Sequence, residues 1–189
     1  ASGLNFESNS NMLWMDASEA YFLLAEAKLR LNIGTETVQS YYEECIRTSF
    51  SSKGATGADA YIANTTNLPL TTYTDPTNNR GTNVGSFISQ RTIAWDDTAT
   101  EEVKLERIMI QKWIALYPNG QEAWSEMRRT GYPGFVRINS YNYTTEVANN
   151  ELISRLKFPT TEYSNNSENT QAAVSLLGGG DTAGTRLWW

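Results

Sequence analysis

The chain has 189 residues, of which 15 are lysine or arginine and 21 are aspartate or glutamate, so its formal net charge is −6. This acidic balance disfavours a nucleic-acid-binding protein, which needs a concentrated positive surface. The chain has no histidine and one cysteine, which excludes Ser-His-Asp and Cys-His nucleophiles, imidazole metal ligands and internal disulfides within these residues.

The first strong helical pattern runs from Asp16 to Leu31, where Asp16 and Glu19 have the spacing of a capping box. Apolar residues then recur every three or four positions, which predicts one buried stripe. The predicted core stripe consists of Ala20, Leu24, Ala27 and Leu31. Gly34 is available for the left-handed conformation that closes many helices.

A second helix is predicted from Thr35, as its N-cap, to about Phe50. The turn before it is short, which favours an antiparallel helical hairpin of about 35 residues, the size of a tetratricopeptide unit. Cys45 lies in this helix beside apolar neighbours, and we interpret it as a packed, inert thiol.

Residues 51–98 break the helical pattern with glycine, proline and many Asn, Thr and Ser residues, which predicts a long loop excursion. Four large aromatic residues lie in it: Tyr61, Tyr73, Phe87 and Trp95. Loops of this length are uncommon in compact domains and are often functional. Disorder is the alternative, and the aromatic residues argue that at least part of the segment is packed.

A third helix, over about residues 100–117, is apolar around most of its circumference and is therefore predicted to be central. A fourth helix begins after Asn119, which has Glu122 at capping-box spacing, and ends near Gly131. These two helices are predicted to form a second hairpin.

Beyond residue 134 the pattern weakens. Residues 135–139 and 156–158 predict at most a short two-stranded hairpin. A last helix is predicted to open at Asn165 and to run through Leu177, where the glycines at 178–180 close it. The chain ends on two tryptophans, which either dock onto the body of the fold or face a partner.

Five sequence blocks in one order are the most specific signal. The blocks are EAYFLLAEAKLRL, YYEECIRTSF, QKWIALYPNGQEAWSEMRRTGYP, RLKFPTTEYSNNSENTQ and GGGDTAGTRLWW. Together they resemble the C-terminal part of the SusD/RagB family of nutrient-binding outer-membrane lipoproteins. The resemblance covers about residues 12–189.

The resemblance implies an all-α fold of tetratricopeptide-like hairpins, an α-α superhelix with long irregular loops. It implies a noncatalytic cell-surface protein that binds oligo- or polysaccharide and delivers it to a TonB-dependent, SusC-like outer-membrane transporter. The resemblance also implies attachment to the membrane through an N-terminal lipid anchor, which we expect to lie outside these 189 residues. We therefore expect residues 1–189 to be a single C-terminal fragment of such a helical domain, with the terminal tryptophans docked.

Aromatic rings stack on the C-H faces of sugars, while amides and hydroxyls satisfy sugar hydroxyl groups. The excursion supplies both kinds of side chain. The predicted ligand-binding residues are Tyr61, Tyr73, Asn78, Asn79 and Trp95. For each ring the alternative is a place in the core, and no cofactor or metal is predicted.

Enzymatic alternatives find little support in the sequence. Adjacent acids such as Glu101 and Glu102 diverge by about 100° on a helix, and they suit its first turn better than a glycosidase site. The stretch GGGD at 178–181 lacks the Lys-Ser/Thr ending of a phosphate loop and is interpreted as a helix end. Arg128 and Arg129 are interpreted as structural.

The second functional hypothesis is a helical-repeat protein-interaction module without its own ligand site. Glycan binding predicts solvent-facing rings that cluster in a shallow depression. An interaction module predicts buried rings and a broad apolar patch on the helices.

Overall fold

The computed structural model describes residues 14–68, 91–134, 146–147 and 153–187. The helices in these ranges are α1 Ala17–Leu31, α2 Val38–Ser52, α3 Ala58–Ile62, α4 Glu101–Ala115, α5 Gly120–Thr130, α6 Thr160–Asn165 and α7 Ser167–Ser175. The same ranges contain no strand, and the predicted all-α class is confirmed.

The described residues fall into two compact units, each of which we describe by itself. The first unit comprises residues 14–67 and 91–117, and the second comprises residue 68 with 118–134, 146–147 and 153–187. The predicted pairing of α4 with α5, and the single helical domain over residues 1–189, stay predictions. None of the described helices is long and apolar enough to cross a membrane.

In the first unit, α1 packs along α2, and α4 packs against both of them. This confirms the predicted pairing of the first two helices. Their buried side chains include Phe22 and Ala25 of α1, Tyr42, Cys45 and Ile46 of α2, and Leu105, Ile108 and Met109 of α4. As its apolar sequence predicts, α4 is a central helix of the unit.

The core face of α1 is not the predicted stripe. Ser18, Phe22 and Ala25 are buried, whereas Ala20 is exposed and Leu31 is 68% exposed. At about 100° per residue, the buried set and the predicted stripe lie on opposite sides of the helix. Because α1 is apolar on two sides, its periodicity did not choose between them, and the side that carries the large Phe22 ring became the core.

The ends of α1 follow the sequence in part. Asp16 is the N-cap, as predicted, and its Oδ1 accepts a hydrogen bond from Ser18 N at 2.9 Å. The closing left-handed residue is Asn32, with φ of 54°, and not Gly34. Asparagine tolerates this conformation better than other residues with a side chain, so Asn32 takes the closing position, and the helix ends at Leu31 as predicted.

The start of α2 also differs from the prediction. Its N-cap is Thr37, whose Oγ1 accepts a hydrogen bond from Ser40 N at 3.0 Å, and not Thr35. The backbone amides of Thr35 and Glu36 donate to the Tyr41 hydroxyl at 3.1 and 3.3 Å. Those amides are satisfied outside the helix, which therefore begins after them.

In the second unit, α5 has the predicted ends. Asn119 Oδ1 accepts a hydrogen bond from Glu122 N at 3.3 Å, and Gly131 closes the helix with φ of 77°. The predicted last helix corresponds to α7, and the short helix α6 before it was not predicted. Asn166 separates the two, because it leaves the helical conformation with φ of −143° and ψ of 42°. Asn166, and not Asn165, is the N-cap of α7.

The predicted strand pair is not formed in the part that the structure describes. Residues 156–158 are irregular, and the amide of Phe158 donates to the Asp181 carboxylate instead of to a neighbouring strand. Residues 135–139 and the terminal Trp188 and Trp189 lie outside the described residues.

Candidate functional site

The excursion leaves the helices of the first unit and returns to them at neighbouring points. We call these two points the loop base, residues 61–67 on the outgoing side and 91–97 on the returning side. The Asn64 carbonyl accepts a hydrogen bond from Ala94 N at 2.9 Å. Residues 51–98 are not irregular throughout, because α2 continues to Ser52 and α3 follows.

On the outgoing side, an Asx turn and a half-buried tyrosine fix the backbone. Asn64 Oδ1 accepts hydrogen bonds from the amides of Thr66 and Asn67 at 3.0 and 2.7 Å. The Tyr61 hydroxyl donates to Gln111 Oε1 of α4 at 3.0 Å. Burial raises the pKa of Tyr61, and the hydrogen bond with Gln111 offsets this only in part.

The returning side is held by α2 and α4. Three side chains of these helices bind residues 91–93: Tyr42, Glu106 and Arg107. The Tyr42 hydroxyl donates to the Ile93 carbonyl at 2.7 Å, and Arg107 Nε donates to the Thr92 carbonyl at 3.0 Å. Burial raises the pKa of Tyr42, so its hydroxyl stays a donor.

Trp95 packs into the same corner. Its ring centroid lies 5.2 Å from that of Tyr42, and Lys104 Nζ lies 5.9 Å from the Trp95 centroid. The indole Nε1 donates to Asp97 Oδ1 at 3.3 Å. Next to it, hydrogen bonds from Thr98 lower the pKa of Asp96 below its usual value. The half-buried Trp95 ring is thus fixed on the loop base.

In the second unit, Asp181 connects the C-terminal segment to residues 155–163. Its carboxylate pairs with Arg155, accepts a hydrogen bond from the Tyr163 hydroxyl at 2.7 Å, and accepts one from Phe158 N at 3.2 Å. Burial by itself raises the pKa of Asp181, but the hydrogen bonds from Arg155, Tyr163 and Phe158 outweigh it and lower the pKa.

Further hydrogen bonds connect the C-terminal segment to Ser154, and Ser154 to α5. The Ala183 carbonyl accepts a hydrogen bond from Ser154 N at 2.8 Å. Arg128 Nε donates to the Ser154 carbonyl at 2.9 Å, and its guanidinium lies 4.4 Å from the Trp124 ring centroid. We call Asp181, Ala183 and their partners the C-terminal clamp. The interpretation of Arg128 as structural is confirmed.

The whole chain, residues 1–189, matches the SusD-like family model, described as Susd and RagB outer membrane lipoprotein. This chain belongs to the SusD-like family. The family expected from the five sequence blocks is confirmed, and with it, at the level of the family, the outer-membrane location.

Solved SusD-like structures are similar to this chain over nearly all of its length. A chitin-binding SusD homologue from Flavobacterium johnsoniae is 41% identical, with a TM-score of 0.79 over 93% of this chain and 36% of that one. SusD homologues from Bacteroides uniformis and Bacteroides thetaiotaomicron are each 37% identical, with TM-scores of 0.83 and 0.81. They cover 98% of this chain, which spans 38% and 40% of theirs. No curated protein matches the sequence.

The SusD-like chain places two of its five predicted ligand-binding residues on the loop base. Tyr61 lies on the outgoing side and Trp95 on the returning side, and both rings are half-buried. Tyr73, Asn78 and Asn79 lie outside the described residues. A ligand-binding role for these five residues stays a prediction.

Sequence reasoning missed the polar residues of α4 that hold the loop base. Arg107 and Gln111 are buried, and each meets one side of the base. They lie four residues apart, on one face of a helix that is otherwise apolar. A buried polar side chain needs a partner, so this spacing was a signal that α4 receives a loop and not only other helices.

Cys45 and the adjacent acids Glu101 and Glu102 are held by other groups of this SusD-like chain. Cys45 is buried and donates to the Tyr41 carbonyl at 2.9 Å. Burial raises the pKa of its thiol, which keeps it protonated as an inert residue. Glu101 and Glu102 each pair with Arg30, at 3.0 and 2.8 Å. No group of three Cys, Asp or Glu residues in the described ranges is placed to hold a metal ion.

The GGGD stretch is a helix end, as predicted. Gly178 adopts φ of 66°, the left-handed conformation that follows a helix. Asp181 follows this helix end and belongs to the C-terminal clamp. Its carboxylate contacts the guanidinium of Arg155 and the hydroxyl of Tyr163. Its carboxylate is therefore occupied by groups of the chain itself.

Proposed function

We propose that this chain is part of a noncatalytic cell-surface protein that binds oligo- or polysaccharide and delivers it to a TonB-dependent, SusC-like outer-membrane transporter. The observation that carries the proposal is membership of the SusD-like family together with 41% identity to a chitin-binding homologue. Because the chain spans 36–40% of the length of these relatives, the ligand and the transporter are proposals for the whole protein.

The loop base supports a binding role for the excursion. Hydrogen bonds with α2 and α4 fix both ends of the segment, and the bond from Ala94 N to the Asn64 carbonyl keeps these ends adjacent. A recognition loop on a rigid base loses less conformational freedom when it binds, which favours affinity. Within the excursion, Tyr73 supplies a ring for stacking and Asn78 and Asn79 supply amides for sugar hydroxyls.

Tyr61 and Trp95 take a supporting part in this site. Both rings are half-buried. Tyr61 holds the base through its hydrogen bond to Gln111, and Trp95 holds it through contacts with Tyr42 and Lys104. The part of each ring that remains exposed is available to a sugar. We therefore assign both residues to the floor of the glycan site.

Isothermal titration against a panel of oligosaccharides that includes chitin fragments tests the proposal. We expect Tyr73→Ala to weaken binding about three- to tenfold, since an aromatic contact contributes about 0.5–1.5 kcal/mol beyond its buried area. The matched control is Tyr117→Ala, because Tyr117 is 60% exposed and lies outside the loop base.

Three outcomes contradict different parts of the proposal. Folded protein that binds no member of the panel contradicts glycan binding by this chain. Unchanged affinity in both Tyr73→Ala and Trp95→Ala contradicts the placement of the site. Release of reducing ends from a bound oligosaccharide contradicts the noncatalytic assignment.

One observation favours the second hypothesis, a helical interaction module. Tyr61 and Trp95 are packed against the helices, and α1 exposes Leu23, Leu24 and Leu31. Protein partners bind such apolar helix faces. The two roles are compatible, since the loop base and the exposed face belong to different helices.

A further inference from the structure

The peptide bond between Ile93 and Ala94 is held at both of its polar ends. The Tyr42 hydroxyl of α2 donates to the Ile93 carbonyl oxygen at 2.7 Å, and Ala94 N donates to the Asn64 carbonyl oxygen at 2.9 Å. Because a peptide unit is planar, hydrogen bonds at its two ends fix the orientation of the whole plane. This plane therefore connects α2 with both sides of the loop base.

The same tyrosine also contacts the residue that follows this peptide unit. The ring of Trp95 lies 5.2 Å from that of Tyr42 between centroids, and the two planes are tilted by 42°, an arrangement that aromatic pairs favour. Tyr42 is fully buried, whereas Trp95 is half-buried. Tyr42 thus holds Trp95 in two ways, through the backbone and through the ring.

The other contacts of Trp95 are weaker. Its Nε1 donates to Asp97 Oδ1 at 3.3 Å, and the Asp97 side chain is 85% exposed. Lys104 Nζ lies 5.9 Å from the Trp95 ring centroid. A long hydrogen bond to an exposed carboxylate restrains a ring less than a short, buried one restrains the backbone that carries it. The hydroxyl of Tyr42 is therefore the main restraint on the direction of Trp95.

We propose that Tyr42 is a positioning residue of the glycan site, because its hydroxyl sets, through the Ile93–Ala94 peptide unit, the orientation of the Trp95 ring that meets a sugar. This inference rests on the proposed function, in which Trp95 belongs to the floor of the site. Ile93 is buried, so its carbonyl needs a donor that a phenylalanine on α2 could not supply. A ring that is fixed before the sugar binds loses less conformational freedom on binding, which favours affinity.

Two neighbouring tyrosines of α2 provide the variant and its matched control. Tyr42→Phe removes the hydroxyl and keeps the ring. Tyr41→Phe makes the same change at another buried position, where the hydroxyl accepts hydrogen bonds from the amides of Thr35 and Glu36 before α2. Each variant removes one hydroxyl that binds the backbone, so we expect both to melt at a lower temperature than the parent chain. Only Tyr42→Phe is expected to affect Trp95.

Fluorine NMR of the 189-residue chain labelled with 5-fluorotryptophan follows Trp95 in the absence of glycan. Trp95→Phe assigns its signal among the six tryptophans. We expect Tyr42→Phe to broaden or shift this signal and to increase its H₂O/D₂O isotope shift, which measures exposure of the ring to solvent. The signal of Trp124, in the second unit, should stay in place. A Trp95 signal that Tyr42→Phe leaves unchanged, or that Tyr41→Phe changes equally, overturns the proposal.

Isothermal titration with the oligosaccharide panel tests the effect on binding. We expect Tyr42→Phe to weaken binding about threefold or more, and Tyr41→Phe to stay within about twofold of the parent chain. In a Trp95→Ala background Tyr42→Phe should have little further effect, since a residue that acts through another is not additive with it. Unchanged affinity in Tyr42→Phe, or full additivity with Trp95→Ala, overturns the proposal.

The two measurements separate this inference from the proposed function. A folded parent chain that binds no oligosaccharide contradicts the proposed function and the effect of Tyr42 on affinity. The fluorine spectrum still decides in that case whether Tyr42 positions Trp95, because it requires no ligand.

Discussion

Gly184 shows how a single residue can limit the packing of the C-terminal clamp. A Cβ atom at this position would clash with the Glu146 carbonyl oxygen and lie 3.4 Å from Val147 Cα. We expect Gly184→Ala to destabilise the second unit by about 2 kcal/mol or more, because backbone atoms cannot move aside as a flexible side chain can. Thermal unfolding followed by circular dichroism measures the loss.

The matched control is Gly180→Ala in the same segment. A Cβ atom there meets only Thr182 Cγ2, at an ordinary distance of 3.7 Å. The expected change is within about 0.5 kcal/mol. Equal losses in the two variants would mean that the close approach at Gly184 does not limit the fold.

Asp181 makes the stability of the second unit depend on pH. Its pKa in the folded chain lies below the ordinary value of 3.8, since its hydrogen bonds from Arg155, Tyr163 and Phe158 outweigh the cost of burial. A depressed carboxylate pKa stabilises the fold above the ordinary value, and this stabilisation is lost as pH falls through the folded pKa. We therefore expect the melting temperature to fall from about pH 4 downward.

Asp181→Asn tests this assignment. The variant should melt at a lower temperature than the parent chain at pH 7 and should lose less stability between pH 4 and pH 2. Glu168→Gln, an exposed first-turn residue of α7, is the control and should keep the parent's acid profile. A parent-like acid profile for Asp181→Asn would exclude Asp181 as the source of the acid dependence.

At the scale of elements, the start of α2 depends on Thr37. Its Oγ1 accepts a hydrogen bond from Ser40 N, which satisfies an amide that has no partner inside the helix. We expect Thr37→Ala to cost about 1 kcal/mol, as for other N-caps. Thr37→Ser keeps the hydroxyl and should stay within a few tenths of a kcal/mol in denaturant unfolding. Equal losses in the two variants would place the cap elsewhere.

The helices themselves illustrate what local sequence can decide. Asp16 and Asn119 cap α1 and α5 as predicted, because capping depends on residues two or three positions apart. Thr35 was the wrong cap for α2, because the Tyr41 hydroxyl competes for the nearby amides. That competition comes from a side chain that only the folded helix brings back to the turn.

At the scale of the whole molecule, we expect the excursion to be separable from its base. The loop base, residues 61–67 and 91–97, is held by side chains of α2 and α4, and the bond between Asn64 and Ala94 keeps the two ends together. We expect replacement of residues 69–90 by a six-residue Gly-Ser linker to leave the melting temperature of the first unit within a few degrees, since a shorter closed loop costs little. Glycan binding should be lost.

A Gly-Ser segment of the original 22-residue length is the control for chain length. It should lose binding as the short linker does, because both replacements remove Tyr73, Asn78 and Asn79. Retained binding in either chain would place the glycan site outside the excursion. Unfolding of the first unit in both would mean that the base depends on the segment it carries.

The sequence by itself determined the all-α class, most helix ends and the family, since these depend on short-range spacing and on the order of the five blocks. It also marked the excursion, because glycine, proline and small polar residues interrupt helical periodicity wherever they cluster. Only the tertiary structure decided which side of α1 is core. It also showed that Arg107 and Gln111 hold the loop base and that Arg155 pairs with Asp181. These are contacts between groups distant in sequence, and local periodicity carries no information about which of two apolar sides, or which of many polar groups, another element will reach.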